Sequence, residues 1–173
     1  MMKCRALAAA LPLLLLTGCL CSSYRDTAYF DLSPSPRNGS APLVRVAELR
    51  NSSGAGSRFQ YRERDGRIVS DPDRKWIMPP GALVARALRT ALSGSGRIDG
   101  KGALVSGELL FFETDRTAGK FRLCADMSIE SGDRRKTVRI DVSAPVADDS
   151  PEAVVRAADL AVNEMAKRLS QAL

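Results

Sequence analysis

The chain has no histidine among its 173 residues. That absence removes Ser-His and Cys-His nucleophile pairs, the His-x-Glu deaminase site, the His-Glu-x-x-His zinc site and every other chemistry that needs an imidazole near neutral pH. Aromatic residues are scarce at 5%, with one Trp, and the four Cys are too few and too scattered for a disulfide scaffold. No Gly-rich phosphate loop is present, because Gly94, Gly96 and Gly100 follow a helical pattern and lack a Lys-Ser/Thr ending. No internal repeat is visible. What remains is 45% apolar and 27% charged residues, enough for one modest domain with a real core.

The N-terminus carries Lys3 and Arg5, then a small and apolar run over residues 6–16. Eleven residues fall short of the roughly 20 that a helix needs to cross the hydrocarbon, so the segment reads as an export leader that is removed. The run ends in Leu16-Thr17-Gly18-Cys19, which matches the bacterial lipobox. Cleavage between Gly18 and Cys19 is expected, with a diacylglyceryl group attached through the Cys19 sulfur. Small residues at Thr17 and Gly18 let the peptidase reach the backbone. One acyl chain is a marginal anchor, whereas two or three hold a protein at a membrane persistently.

Cys4 leaves with the leader and Cys19 is capped by lipid, so Cys21 and Cys124 are the remaining thiols. A bond between them is compatible with an oxidising compartment. A metal site from two thiols without histidine is not expected. Removing the leader takes away two of the 26 basic groups and no acids, which leaves a mild net charge of +4.

The pattern divides the chain into a signal peptide over 1–18, a lipidated tether over 19–42 and one α+β domain over 43–173. The tether is rich in Ser, Pro, Asn and Gly, with a short ordered island at Tyr29-Phe30-Asp31-Leu32. Leu43 to Leu49 reads as a strand. Asp65-Gly66 predicts a two-residue type I′ hairpin between Phe59–Arg64 and Arg67–Ser70, and Asp71-Pro72-Asp73 predicts a turn. Pro79-Pro80 opens a helix whose Leu83, Val84, Ala87, Leu88, Ala91 and Leu92 share one face. Ala103–Glu113, Lys120–Glu130 and Thr137–Val142 form an antiparallel meander. A last helix starts at Ser150 as N-cap, with Pro151 at its first position and Val154, Ala158, Ala161, Val162, Met165 and Leu169 on its apolar face. The fold class is α+β: a mainly antiparallel twisted sheet with two amphipathic helices packed on one face.

Candidate sites are few. The chain has no visible base to activate a serine, and the acids Asp71, Asp73, Asp148 and Asp149 lie in turn or cap sequence, where Asp bonds to backbone. No catalytic residue, metal or cofactor is expected. Trp76 reads either as a plug between helix and sheet or as an exposed anchor for a partner. Phe111 and Phe112 point to opposite sheet faces, so one ring needs cover outside the helical layer, such as a second copy of the chain. Arg134, Arg135 and Lys136, at a hairpin tip, are either a solvated tip or a contact for an acidic partner. Nucleic acid is not an expected partner for an exported, lipid-anchored chain.

In this order, the lipobox at Cys19, the Tyr29 to Pro34 island, the Tyr61 to Trp76 segment leading into a Pro-started helix, the meander and the closing Ala-rich helix resemble one family: the ABC-type transport auxiliary lipoproteins, the PqiC-like group. Members often read Arg-Trp-Ala-Glu-Pro before the first helix; here the segment is Lys75-Trp76-Ile77-Met78-Pro79, with Met78 at the acidic position. The resemblance implies a non-enzymatic, periplasm-facing lipoprotein beside an MCE-domain protein and its ABC permease and ATPase, supporting phospholipid movement. Leu20, rather than Asp, after the lipidated Cys favours the outer membrane. The alternatives are a structural lipoprotein of the lipopolysaccharide-assembly or Tol-associated kind and, more distantly, an envelope hydrolase.

Overall fold

The computed structural model describes residues 26–36, 44–92 and 102–173. Gly18, Cys19, Cys21 and the expected leader lie outside them. The described chain forms an eight-stranded mixed sheet with two helices on one face, which is the α+β class expected. The strands are β1 (Ala28–Phe30), β2 (Val44–Val46), β3 (Arg50–Asn51), β4 (Arg58–Arg62), β5 (Ile68–Trp76), β6 (Ala103–Asp115), β7 (Lys120–Ser131) and β8 (Arg134–Pro145). The helices are α1 (Pro80–Leu92) and α2 (Pro151–Ala172).

The main path of the sheet runs β1-β5-β4-β6-β7-β8. One edge of β6 pairs with β7 along its length, and the other is shared by β2, β3 and β4, which follow one another along it in parallel. The meander β6-β7-β8 is antiparallel as expected, and each of its strands is longer than its apolar pattern indicated. The chain reverses at the β4–β5 hairpin and again between β5 and β6, so β6 runs in the direction of β2, β3 and β4 and pairs with them in parallel. Of the strand expected over 43–49, Val44–Val46 is strand (β2) and residues 47–49 are not, while a second short strand, β3, follows beyond that span at Arg50–Asn51.

The hairpin at Asp65-Gly66 exists, but its turn is not type I′. Gly66 has φ of +84°, while no described non-Gly residue has positive φ. The Gly66 N–H donates to the Glu63 carbonyl at 2.9 Å and the Glu63 N–H to the Arg67 carbonyl at 2.9 Å. This closes a three-residue loop in which only the glycine adopts the left-handed conformation. The turn expected at Asp71-Pro72-Asp73 is a bulge inside β5: Gln60 pairs with Ser70, but Arg58 pairs with Lys75. The Asp71 carboxylate accepts from the Asp73 and Arg74 N–H groups, at 2.9 Å each, and so stabilises the irregular backbone.

The folded unit starts earlier than the expected boundary at 43. The Tyr29 island is strand β1, parallel to β5, and Leu32 and Pro34 beyond it are buried. Asp159 of α2 accepts from the Ser33 N–H at 2.8 Å, and Asp31 pairs with Arg86 of α1. The ordered island is therefore part of the sheet, and the residues after it form a strap across both helices held by contacts that local composition does not show.

Both helices bury the faces their periodicity indicated, including every apolar position it marked. Gly81 is required at the start of α1, because a Cβ there would stand 2.2 Å from the Leu49 carbonyl oxygen. At α2, the Ser150 hydroxyl accepts from the Ala153 N–H at 3.2 Å, Pro151 fills the first turn and Glu152 faces the positive helix end. Ser150→Ala is expected to destabilise the protein by about 1 kcal/mol, whereas Ser150→Asp stays near the parent. Urea midpoints at constant slope check both.

Candidate docking surface

The candidate docking residues divide between the two sheet faces. Trp76 ends β5 on the helix-covered face and is 2% exposed. Its ring stacks on Phe59 at 4.3 Å between centroids and meets the edges of Phe112 at 5.2 Å and Phe121 at 6.5 Å. Phe30 extends the cluster through Phe59 at 5.2 Å. Trp76 and Phe112 are therefore core residues and cannot serve as surface anchors. The plug reading of Trp76 is the correct one, because the two elements converging on it leave a gap that an indole fills.

Phe111 lies on the opposite face, as strand alternation required. Its cover is the chain's own: the Arg122 guanidinium sits 4.8 Å from the ring centroid. Arg134, Arg135 and Lys136 are exposed at the β7–β8 tip. Arg135 donates to the Ser128 hydroxyl at 2.9 Å and approaches Glu130 at 3.6 Å. Lys136 reaches the Ala172 carbonyl at 3.3 Å, at the negative end of α2. The hairpin tip thus has an internal structural role and still presents cationic surface.

The helix-free face is organised by ion pairs. Glu113, with a side chain 6% exposed, receives the Arg62 guanidinium through Nε at 2.7 Å and through its second nitrogen at 3.0 Å, with Arg122 at 3.5 Å. Arg139 holds Asp126 by two bonds of 2.7 Å, which keeps that carboxyl below its usual range. Arg50 pairs with Glu108, whose carboxyl is lowered first by the Ser52 hydroxyl and then by Arg50. These partners were not legible in the sequence, since cross-strand register decides who faces whom.

A further group lies where β5, β6 and the start of α2 meet. The Tyr61 hydroxyl contacts Asp71 at 3.3 Å and Arg74 at 3.4 Å, and Arg116 stacks 4.0 Å from its ring. Burial raises the phenol's pKa. Arg74 also donates to the Asp149 carbonyl at 3.0 Å. Asp71, Asp148 and Ser150 are thus engaged in backbone and cap bonds, as their sequence context indicated. Cys124 is a buried free thiol whose pKa burial pushes up.

One row at the opposite edge was missed by sequence reasoning. Strand pairing places Tyr29, Lys75 and Arg58 side by side on β1, β5 and β4. The Lys75 ammonium is 5.8 Å from the Tyr29 ring, and the three residues line a concavity of about 440 Å³ with Ser57 and Ile77. A second shallow groove, of about 420 Å³, lies between α1 and α2 beside Ser35, Ala91, Ala166 and Lys167. Beneath both lies the cluster of buried apolar side chains. Among the described residues, no helix is long and apolar enough to cross a membrane.

No family model matches the chain, and no curated protein matches it significantly. The fold, a mixed sheet with two helices on one face, is shared with solved structures. One is an uncharacterized protein, 11% identical with a TM-score of 0.68, where the match covers 85% of this chain and 98% of that one. Another is protein XCC0632 from Xanthomonas campestris, a DUF330 protein, 17% identical with a TM-score of 0.61, covering 83% of this chain and 91% of its own. At these identities the likeness is one of fold, extending over nearly the whole of each neighbour.

Proposed function

We propose that the protein is a non-enzymatic auxiliary lipoprotein of the PqiC-like group. In this reading it is anchored through Cys19 in the outer membrane, faces the periplasm, and works with an MCE-domain protein and its ABC permease and ATPase to move phospholipid. The observation that carries the reading is the near-complete fold likeness to a DUF330 protein, DUF330 being the family of the PqiC-like lipoproteins. The lipobox supports the anchor independently of fold. A binding role is supported by how one buried and two half-buried acids are used: Glu113 holds arginines, Asp159 holds the Ser33 N–H, and Asp71 holds backbone. Each is committed to structure rather than aimed together at a substrate. With Trp76 and Phe112 in the core, the exposed candidates for partner contact are Arg134, Arg135 and Lys136, beside half-buried Phe111.

Affinity capture of the protein from detergent-solubilised native membranes is expected to recover an MCE-domain protein, a permease or an ATPase. Charge reversal at Arg134 and Lys136 should reduce that recovery. Capture of none of the three overturns the transport assignment. The mass of the N-terminal peptide is expected to show a diacylglyceryl Cys19; an intact leader would overturn the anchor.

A further inference from the structure

We infer that the row Tyr29, Lys75, Arg58, with Ile77 beside it, rests on the anionic headgroup surface of the membrane that carries the anchor. The inference builds on the proposed lipidation at Cys19 and adds to it an orientation of the domain.

Among the described cross-strand pairs, Arg58 and Lys75 are the one place where a cation lies opposite a cation, and this singles the row out. On the helix-free face, Arg50, Arg62, Arg122, Arg135 and Arg139 each meet a carboxylate. Lys75 and Arg58 are instead directly opposite one another in the β4–β5 register, a like-charge pair that is ordinarily unfavourable. Among the described residues no ion pair joins either of them to a carboxylate. Arg58 is held by the Asp71 carbonyl at 2.9 Å and by the Pro72 carbonyl, and Lys75 by the Tyr29 ring. Asp31, two residues beyond Tyr29, is taken by Arg86. An external anion therefore completes this part of the sheet.

The surroundings specify a lipid surface rather than a small anion. Tyr29 is 62% exposed and Ile77 43% exposed, two of the few large apolar side chains that the described chain leaves to solvent. An aromatic ring with a polar tip, an aliphatic residue and cations on long stems form the combination that settles at a membrane interface. Chain length supplies the other argument. Eight residues lie between Cys19 and Ala28, nine Cα steps, so the start of β1 stays within about 30 Å of the lipidated residue even at full extension. The row is on the first strand after the anchor and on the strands paired with it, and so lies on the part of the domain that the anchor holds nearest the bilayer.

The test uses the mature chain from residue 19 carrying Cys19→Ser, which cannot be acylated on sulfur, with sedimentation against phosphatidylcholine vesicles and vesicles containing one third phosphatidylglycerol. Preferential binding to the anionic vesicles is expected, weakening as salt screens the charges. Lys75→Glu should weaken it on the order of tenfold, and Lys75→Gln by less. Tyr29→Ala should weaken it with an unchanged salt dependence. All these substitutions are at the surface, and thermal unfolding confirms that each variant is folded. Equal binding to both vesicle types, or variants that bind like the parent, overturns the inference. Because this protein carries no lipid, the result is separate from the anchor itself, which the N-terminal peptide mass decides.

Discussion

Replacing Trp76 by alanine is expected to destabilise the protein by about 3–5 kcal/mol, the largest loss from truncating any one side chain of the core. The indole is the centre of a five-ring cluster that ties β1, β4, β5, β6 and β7 together, through Phe30, Phe59, Phe112 and Phe121. Its removal leaves a void that four other rings cannot all close at once, because each is fixed on a different strand. Aromatic pairs of this geometry add about 0.5–1.5 kcal/mol beyond area burial. Trp76→Phe should retain part of the stability by keeping the stack on Phe59. Since Trp76 is the sole Trp, unfolding is followed by circular dichroism in urea rather than by fluorescence. An Ala variant within about 1 kcal/mol of the parent would contradict the packing role and reopen a surface role for Trp76.

The second large effect is expected at Glu113, where alanine substitution should cost about 2–3 kcal/mol. Breaking a buried ion pair typically costs 3–5 kcal/mol, because the partner charge is left without compensation. The lower figure applies because Arg62 and Arg122 keep 29% and 31% of their side chains exposed and can recover part of their hydration. Two guanidiniums left facing one another explain the remainder. Combining Glu113→Ala with Arg62→Ala should therefore cost less than the sum of the two single changes. Urea denaturation of the four proteins in that cycle measures the coupling; strict additivity would show that Glu113 does not neutralise Arg62.

The sequence was most readable where one physical preference dominates. Both helices were visible because their apolar residues recur on one face and Pro80 and Ser150-Pro151 punctuate their starts. The β7 alternation of Phe121, Leu123, Ala125, Met127 and Ile129 marked the core face of the central strand, and all five are buried. It was least readable where pairing with distant residues supplies the order. The two residues of β3 carry no periodicity, and β1 sits in tether-like composition; both exist because β6 and β5 offer them unpaired edges. The turn expected at Asp71-Pro72-Asp73 is instead a bulge within β5, because pairing with β4 resumes beyond it.

The candidate surface shows the same division. Residue type made Trp76 and Arg134 to Lys136 conspicuous, but type does not distinguish a core plug from an exposed anchor; only the direction of each strand and the position of the helices put Trp76 inside. Tyr29, Lys75 and Arg58 are inconspicuous in the chain and adjacent in space, since a parallel pair and an antiparallel pair bring them into one row.

By itself the sequence determined the fold class, the helix faces, the core side of the meander and the exclusion of imidazole chemistry, because these follow from residue identity and short-range spacing. The tertiary structure decided strand order, the earlier start of the folded unit, the partner of each charge and which aromatic rings are available to a surface. Those depend on contacts between residues far apart in the chain, where each choice is fixed by burial and hydrogen bonding elsewhere rather than by any local preference.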